Sequence, residues 1–280
     1  MSKIVWCENV LLFILQILRL SESFIEDPSC RCGQQGYFIS NIVGGRTAQN
    51  YTYPWQAAIY DNEDKFACGG SVITTFHILT AAHCAEGETG WYIQLGMTDM
   101  RAKDGVRFEL LSWIIHPGFH LRESASWNDI AIGYLTPEIK FDYHIQPVCL
   151  NDNPDLILDS KIAKISGWGS LKQRGLYPDY LQEAEVEIYS DRRCKKSKLG
   201  YYYRPEIMMC ASSYPMDSCS GDSGGPLVLD SGWGYMFQVG IVSFGIGCGL
   251  RGSAGAYARV STYYDWIQEV TKNVKTCSTP

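Results

Sequence analysis

The sequence predicts an all-β protein of barrel or sandwich architecture, folded as one unit behind a short N-terminal leader. Apolar or alternating runs bounded by Gly, Pro, Asn and Asp recur at 55–60, 70–74, 91–95, 108–115, 130–135, 161–166, 235–244 and 255–260. That is the spacing of short strands joined by turns. Helical periodicity, by contrast, is persuasive only in the terminal stretch "STYYDWIQEVTKNV", with Ser261 as a cap and Tyr264, Ile267 and Val270 on one stripe. No fixed-period repeat or low-complexity linker divides the chain, and all-β units of about 200–250 residues often form one domain.

The leader comes first. An apolar run, "VLLFILQIL" at 10–18, is followed by Ser21-Glu22-Ser23, which reads as a secretory signal over residues 1–23. The run is shorter than the roughly 20 residues of a bilayer span, and Glu8 and Arg19 bracket it. No later stretch is long enough either. The expectation is a soluble, secreted, extracellular protein with no membrane partner. Of eleven cysteines, Cys7 lies in the leader and ten remain, a number suited to five bridges in an oxidising compartment. No CxxC occurs and no His cluster stands at ligand spacing, so no metal is expected. With 46% hydrophobic and 19% charged residues the chain can bury a real core without its disulfides. Its net charge of −6 gives no general footprint for nucleic acid, and Lys195, Lys196 and Lys198 read as a solvated loop.

The densest chemical signal is "MDSCSGDSGGPLV" at 216–228. Ser223 stands among glycines that let the backbone turn sharply and present N–H groups, as a nucleophile beside an oxyanion hole requires. The same residues match the nucleophile elbow G-x-S-x-G, but an elbow enzyme places its His after the Ser. All five histidines precede Ser223, so that reading fails on order. The base that Ser223 needs must lie upstream, held in one tautomer by a third group. His83 stands in "LTAAHCA", where Ala81 and Ala82 leave room for the ring. Asp129 stands in "WNDIAIGYL", at the start of an alternating strand, where a partly buried carboxylate needs a donor.

"TAAHC", "NDIAI" and "GDSGGP" in that order, with "IVGG" at 42–45 and "ISGWG" at 165–169, resemble the chymotrypsin/trypsin family of serine endopeptidases. The likeness runs from Ile42 to about Ile267. It implies two packed six-stranded antiparallel β-barrels with a C-terminal α-helix, and a peptidase unit over 42–280. It also implies Ser223 as nucleophile, His83 as general base, Asp129 as orienting carboxylate, and the N–H groups of Gly221 and Ser223 as oxyanion hole. Protein or peptide substrates and protein inhibitors are the partners implied. No cofactor is.

In similar proteins, cleavage before "IVGG" frees an α-amine that pairs with the carboxylate beside the catalytic Ser, here Ile42 with Asp222. An α-amine is mostly charged at neutral pH, and a buried Asp222 would be costly without such a partner. Relatives usually carry Arg or Lys before the Ile. This chain has Asn41, which implies a separate, non-tryptic activating protease. Asp217 matches the base of the specificity pocket of trypsin-like relatives, where a lone carboxylate selects Arg or Lys side chains. Ser218 could add a hydroxyl, and Gly245 and Gly255 match the wall positions that keep the slot open. Ser243-Phe244-Gly245 resembles the strand that pairs with substrate backbone, with Phe244 in place of the usual Trp. The trypsin calcium loop is unmatched, since "GMTDMRAKDGVRF" offers Met97 where an acidic ligand belongs.

The resemblance implies bridges Cys68–Cys84, Cys194–Cys210 and Cys219–Cys248. Cys30, Cys32, Cys149 and Cys277 could pair in three ways. Relatives with a short Cys-bearing propeptide favour Cys32–Cys149, leaving Cys30–Cys277 and a propeptide, 24–41, that stays tethered after the cut. A further family bridge is missing on both sides, at Ala163 and Leu229. Asn50-Tyr51-Thr52 is the only glycosylation sequon in the mature chain. Two rivals stand beside this reading: a non-catalytic binding homologue of the same fold, and an enzyme of different primary specificity.

Overall fold

The computed structural model describes residues 26–36, 46–86, 90–102, 104–122, 125–170, 175–212, 222–245, 253–274 and 276–278. Twelve strands carry the architecture. The first six are β1 (Gln56–Tyr60), β2 (Phe66–Val72), β3 (His77–Thr80), β4 (Tyr92–Leu95), β5 (Val106–Ile115) and β6 (Ala131–Thr136), which close into an antiparallel barrel in the order β1-β2-β3-β6-β5-β4. The next six are β7 (Ile162–Gly167), β8 (Gln182–Ile188), β9 (Met208–Ser212), β10 (Pro226–Asp230), β11 (Met236–Gly245) and β12 (Gly255–Arg259). They close in the order β7-β8-β9-β12-β11-β10, the first barrel's order advanced by six. The two halves therefore repeat one topology, although no period marks it in the sequence.

Every residue of β1 and β3 is buried, the polar Gln56, His77 and Thr80 included. β8 behaves differently. In "QEAEVEI", Val186 and Ile188 face the second barrel's core while Glu183, Glu185 and Glu187 do not, and acidic residues are poor strand formers by propensity. Burial of alternate side chains outweighs that preference. The largest apolar cluster runs from Ile59, Leu79 and Ile132 through Trp168 to Ile241, Tyr263 and Ile267, so it joins both barrels. A smaller one, with Ile165, Val186, Leu227 and Tyr257, fills the second. Ala163 and Leu229 belong to that smaller cluster, so these two positions contribute packing. Between the barrels, Ser71 Oγ donates to Gln238 Oε1 at 2.6 Å and Ser166 Oγ to Gln56 Oε1 at 2.7 Å, both buried.

Two helices differ from expectation. Residues 191–196 form a short helix, α1 (Asp191–Lys196), where a solvated loop is expected for Lys195 and Lys196. Ser190 caps it by accepting from Arg193 N, and buried Cys194 is bonded to Cys210. The terminal helix, α2 (Tyr264–Thr271), starts later than the sequence suggests. Ser261 falls in a 3-10 turn, Val260–Tyr263, and Tyr263 takes the cap position, where its side chain makes no capping bond to the helix. The buried face is accordingly Tyr263, Ile267 and Thr271.

At the N-terminus, a strand at Glu26–Arg31 pairs in parallel with Thr276–Ser278. Cys30 is bonded to Cys277, Cys32 to Cys149 and Cys68 to Cys84. Gly33 N donates to Pro147 O and Met236 N to Gly33 O, both at 2.8 Å, which docks this segment beside β11. A two-residue strand, Arg46–Thr47, adds to β8. Cys219 and Cys248 lie outside the described residues, as does the leader.

Candidate active site

His83 sits in a 3-10 turn, Ala82–Cys84, directly after β3. Ala81 and Ala82 on one side are fully buried, and the Cys68–Cys84 bond pins the turn to β2. Asp129 lies two residues before β6. Asn128 ahead of it takes φ +50°, a left-handed conformation that Asn tolerates, and its Oδ1 accepts from Tyr263 OH at 3.1 Å. The turn carries Asp129 inward to 1% exposure. There Oδ1 accepts from His83 N at 2.9 Å and Oδ2 meets His83 Nδ1 at 2.8 Å. A third donor is Ser243 Oγ, on Oδ2.

Three donors decide the charge of this carboxylate. Burial pushes its pKa up, but the bonds from His83 and Ser243, with the imidazole's charge, more than compensate and hold it below 3.8. For His83, burial alone would lower the pKa. The bond to Asp129, that carboxylate's charge and the charge of Glu86 outweigh burial and hold the ring above 6.5. With Nδ1 committed to Asp129, the other ring nitrogen, Nε2, is the one that can take a proton.

Ser223 stands on the second barrel, in the turn that leads into β10. Its carbonyl accepts from Gly69 N of β2 at 2.8 Å. Gly224, at φ +78°, then passes so close to the first barrel that an added Cβ would lie 2.1 Å from Thr80 Oγ1 and 2.5 Å from Gly69 O. Only glycine meets both demands. Since Thr80 and Ala81 lead into His83, this contact seats the Ser223 turn beside the imidazole's own turn.

Asp222 points the other way. Its Oδ1 accepts from Gly169 N at 3.0 Å. A Cβ at Gly167 would stand 2.4 Å from that oxygen, and one at Gly169 would stand 2.3 Å from the carboxyl carbon. The glycines of the "SGWG" stretch thus leave the space the carboxylate occupies. Ile42, its expected partner, lies outside the described residues, as do Asp217, Ser218 and Gly221.

On β11, Val242 lies opposite Tyr257 and Phe244 opposite Ala256, so Ser243 is a bulge. Its hydroxyl is committed to Asp129, a role no sequence signal announces across 114 residues. Gly245 pairs with Gly255 across the end of β11 and β12, and Phe244 is half-buried against the apolar cluster that holds Cys194, Ala254 and Ala256. Cys68, His83 and Cys84 lie close enough together to suggest a metal site, but both sulfurs are spent in a disulfide.

The doubled barrel, with the Asp–His pair on one half and the serine turn brought against it from the other, defines the chymotrypsin-like class of serine proteases. Residues 42–267 match the family described as Trypsin, and the chain belongs to that family. It is 35% identical over 265 residues to transmembrane protease serine 9 of Rattus norvegicus, covering 91% of this chain and 24% of the rat protein. It is 34% identical over 252 residues to venom serine protease Bi-VSP of Bombus ignitus, covering 84% of this chain and 69% of the relative. Transmembrane protease serine 11G of Mus musculus is 32% identical, with 88% of this chain and 59% of the mouse protein covered. The chain thus spans about a quarter to two thirds of the length of these relatives. Among the described residues, no helix is long and apolar enough to cross a membrane.

Proposed function

We propose that this chain is a secreted serine endopeptidase, made as a zymogen, that cleaves after Arg or Lys through an acyl-enzyme on Ser223. The observation that carries the reading is the buried Asp129 carboxylate holding His83 by both its backbone N–H and Nδ1, with the Ser223 turn locked against the same barrel.

In this reading, Ser223 Oγ attacks the scissile carbonyl while His83 Nε2 takes its proton. The imidazolium that forms is stabilised by Asp129 and then protonates the leaving amine. The N–H groups of Gly221 and Ser223 receive the tetrahedral oxygen. Water, deprotonated by His83, releases the acid. Substrate backbone pairs with β11 at Ser243, Phe244 and Gly245. The Gly245–Gly255 pair leaves room for a long side chain that ends on Asp217 and Ser218. Cleavage of Asn41–Ile42 by a separate protease supplies the amine that Asp222 binds. Asn50, exposed in a turn, carries the glycan.

Specificity provides the test. Protein beginning at Ile42 is expected to cleave Arg and Lys peptide amides with kcat/KM roughly 100-fold or more above Phe amides, because an unfilled buried carboxylate rejects an apolar side chain. Preference for Phe would overturn the assignment to Asp217.

The pH profile tests the His83–Asp129 pair separately. Neutral imidazole is the active base, so kcat/KM falls as pH drops through the raised His83 pKa, giving an acid limb centred above 6.5. Asp129→Asn removes the carboxylate's bond and charge that raise it, leaving burial, the largest cause and a lowering one, opposed only by the charge of Glu86. Residual activity in that variant is therefore expected to show its acid limb at lower pH. An unmoved limb would assign the titration to another group.

A further inference from the structure

The whole chain is acidic, at −6, yet "RRCKKSK" at 192–198 places five cations in seven residues. In α1, at 100° per residue, Arg192, Lys195 and Lys196 fall within an arc of about 100° on the side away from buried Cys194. Arg193 is the exception, held by Glu187 at 2.9 Å and stacked on Tyr189. Asp191, the only acid in the helix, is turned to internal partners: Tyr203 OH at 2.6 Å and the Arg259 guanidinium at 3.7 Å. Among the described residues, Arg192, Lys195, Lys196 and Lys198 have no carboxylate partner. The frame beneath them is rigid, with the Cys194–Cys210 bond and buried Leu199 and Tyr203 under the cations. Further along, Trp127 donates its indole N–H to Tyr202 O and has Arg204 and Arg122 over its ring.

We infer that α1 and Lys198 form a binding site for a sulfated polysaccharide. A rigid row of unneutralised cations on a protein of opposite net charge concentrates a local positive field, and a short Lys/Arg-rich run is a recognised polyanion footprint. A convex helical face has no free strand edge for an acidic peptide backbone to join, whereas sulfates need only spaced charges. Four disulfides place the chain in an oxidising compartment, where the abundant polyanions are sulfated glycans. The site is independent of catalysis.

Equilibrium binding of a defined heparin dodecasaccharide to the full chain tests it. The wild type is expected to bind at about 0.15 M salt, with affinity falling steeply as salt rises. The triple variant Arg192→Gln/Lys195→Gln/Lys196→Gln is expected to bind at least about tenfold more weakly. A control that removes the same charge elsewhere, Lys65→Gln/Lys140→Gln/Lys272→Gln, should bind within about twofold of wild type. Equal loss in both variants, no wild-type binding, or tighter binding of polyglutamate of the same charge would each overturn the assignment.

Discussion

Ser223→Ala is expected to lower kcat/KM of protein beginning at Ile42 by about 10^6-fold, and His83→Ala by nearly as much, while the double variant is no worse than either. The lack of additivity is the informative part: in the proposed mechanism nucleophile and base act on one proton, so removing either would remove the step. Structural collapse is not the cause in Ser223→Ala. The bond from Gly69 N is to the main-chain carbonyl of residue 223, and Gly224 remains against Thr80, so far-UV circular dichroism and melting should change little. Hydrolysis of an Arg amide and labelling by an organophosphorus reagent give the readout. Full labelling of the alanine variant, or a wild type that takes no label, would favour a binding homologue over an enzyme.

The second large effect is at Asp222. With the cut made, Asp222→Asn is expected to lose roughly 100- to 1,000-fold in activity, because the new amine would be left without a carboxylate in a partly buried place. Gly169→Ala should do similar damage by a different route, since its Cβ would occupy the carboxyl group's own space. The uncut chain should match the Asp222→Asn protein in being nearly inert. Active-site titration before and after cleavage at 41–42 checks all three. An uncut chain as active as the cut one would remove the basis for an activation switch.

Much of this was readable from residue order alone, and the reasons differ by element. His83, Asp129 and Ser223 stand out because their neighbours are constrained too: small alanines, a strand start and a run of glycines. Strands bounded by turns announce an all-β barrel or sandwich; the two barrels are implied by the family resemblance. β8 escapes notice because Glu183, Glu185 and Glu187 mask its alternation, and α1 because six residues are too few to show a period. The pairing of Glu26–Arg31 with Thr276–Ser278 joins the two ends of the chain; nothing local encodes such a contact. Neither does anything local reveal that Ser243 donates to Asp129, or that Gly167 and Gly169 are shaped around Asp222. Those facts belong to the closed fold, where distant segments share space.

The short strand Arg46–Thr47 has a consequence for how quickly the proposed switch responds. Sewn to β8, it leaves three residues, 43–45, between anchored Arg46 and Ile42. Four Cα–Cα steps span at most about 14 Å, so in the proposed switch the new amine would meet its target at a high local concentration. On that proposal, settling into the active state after the cut would be a short-range step.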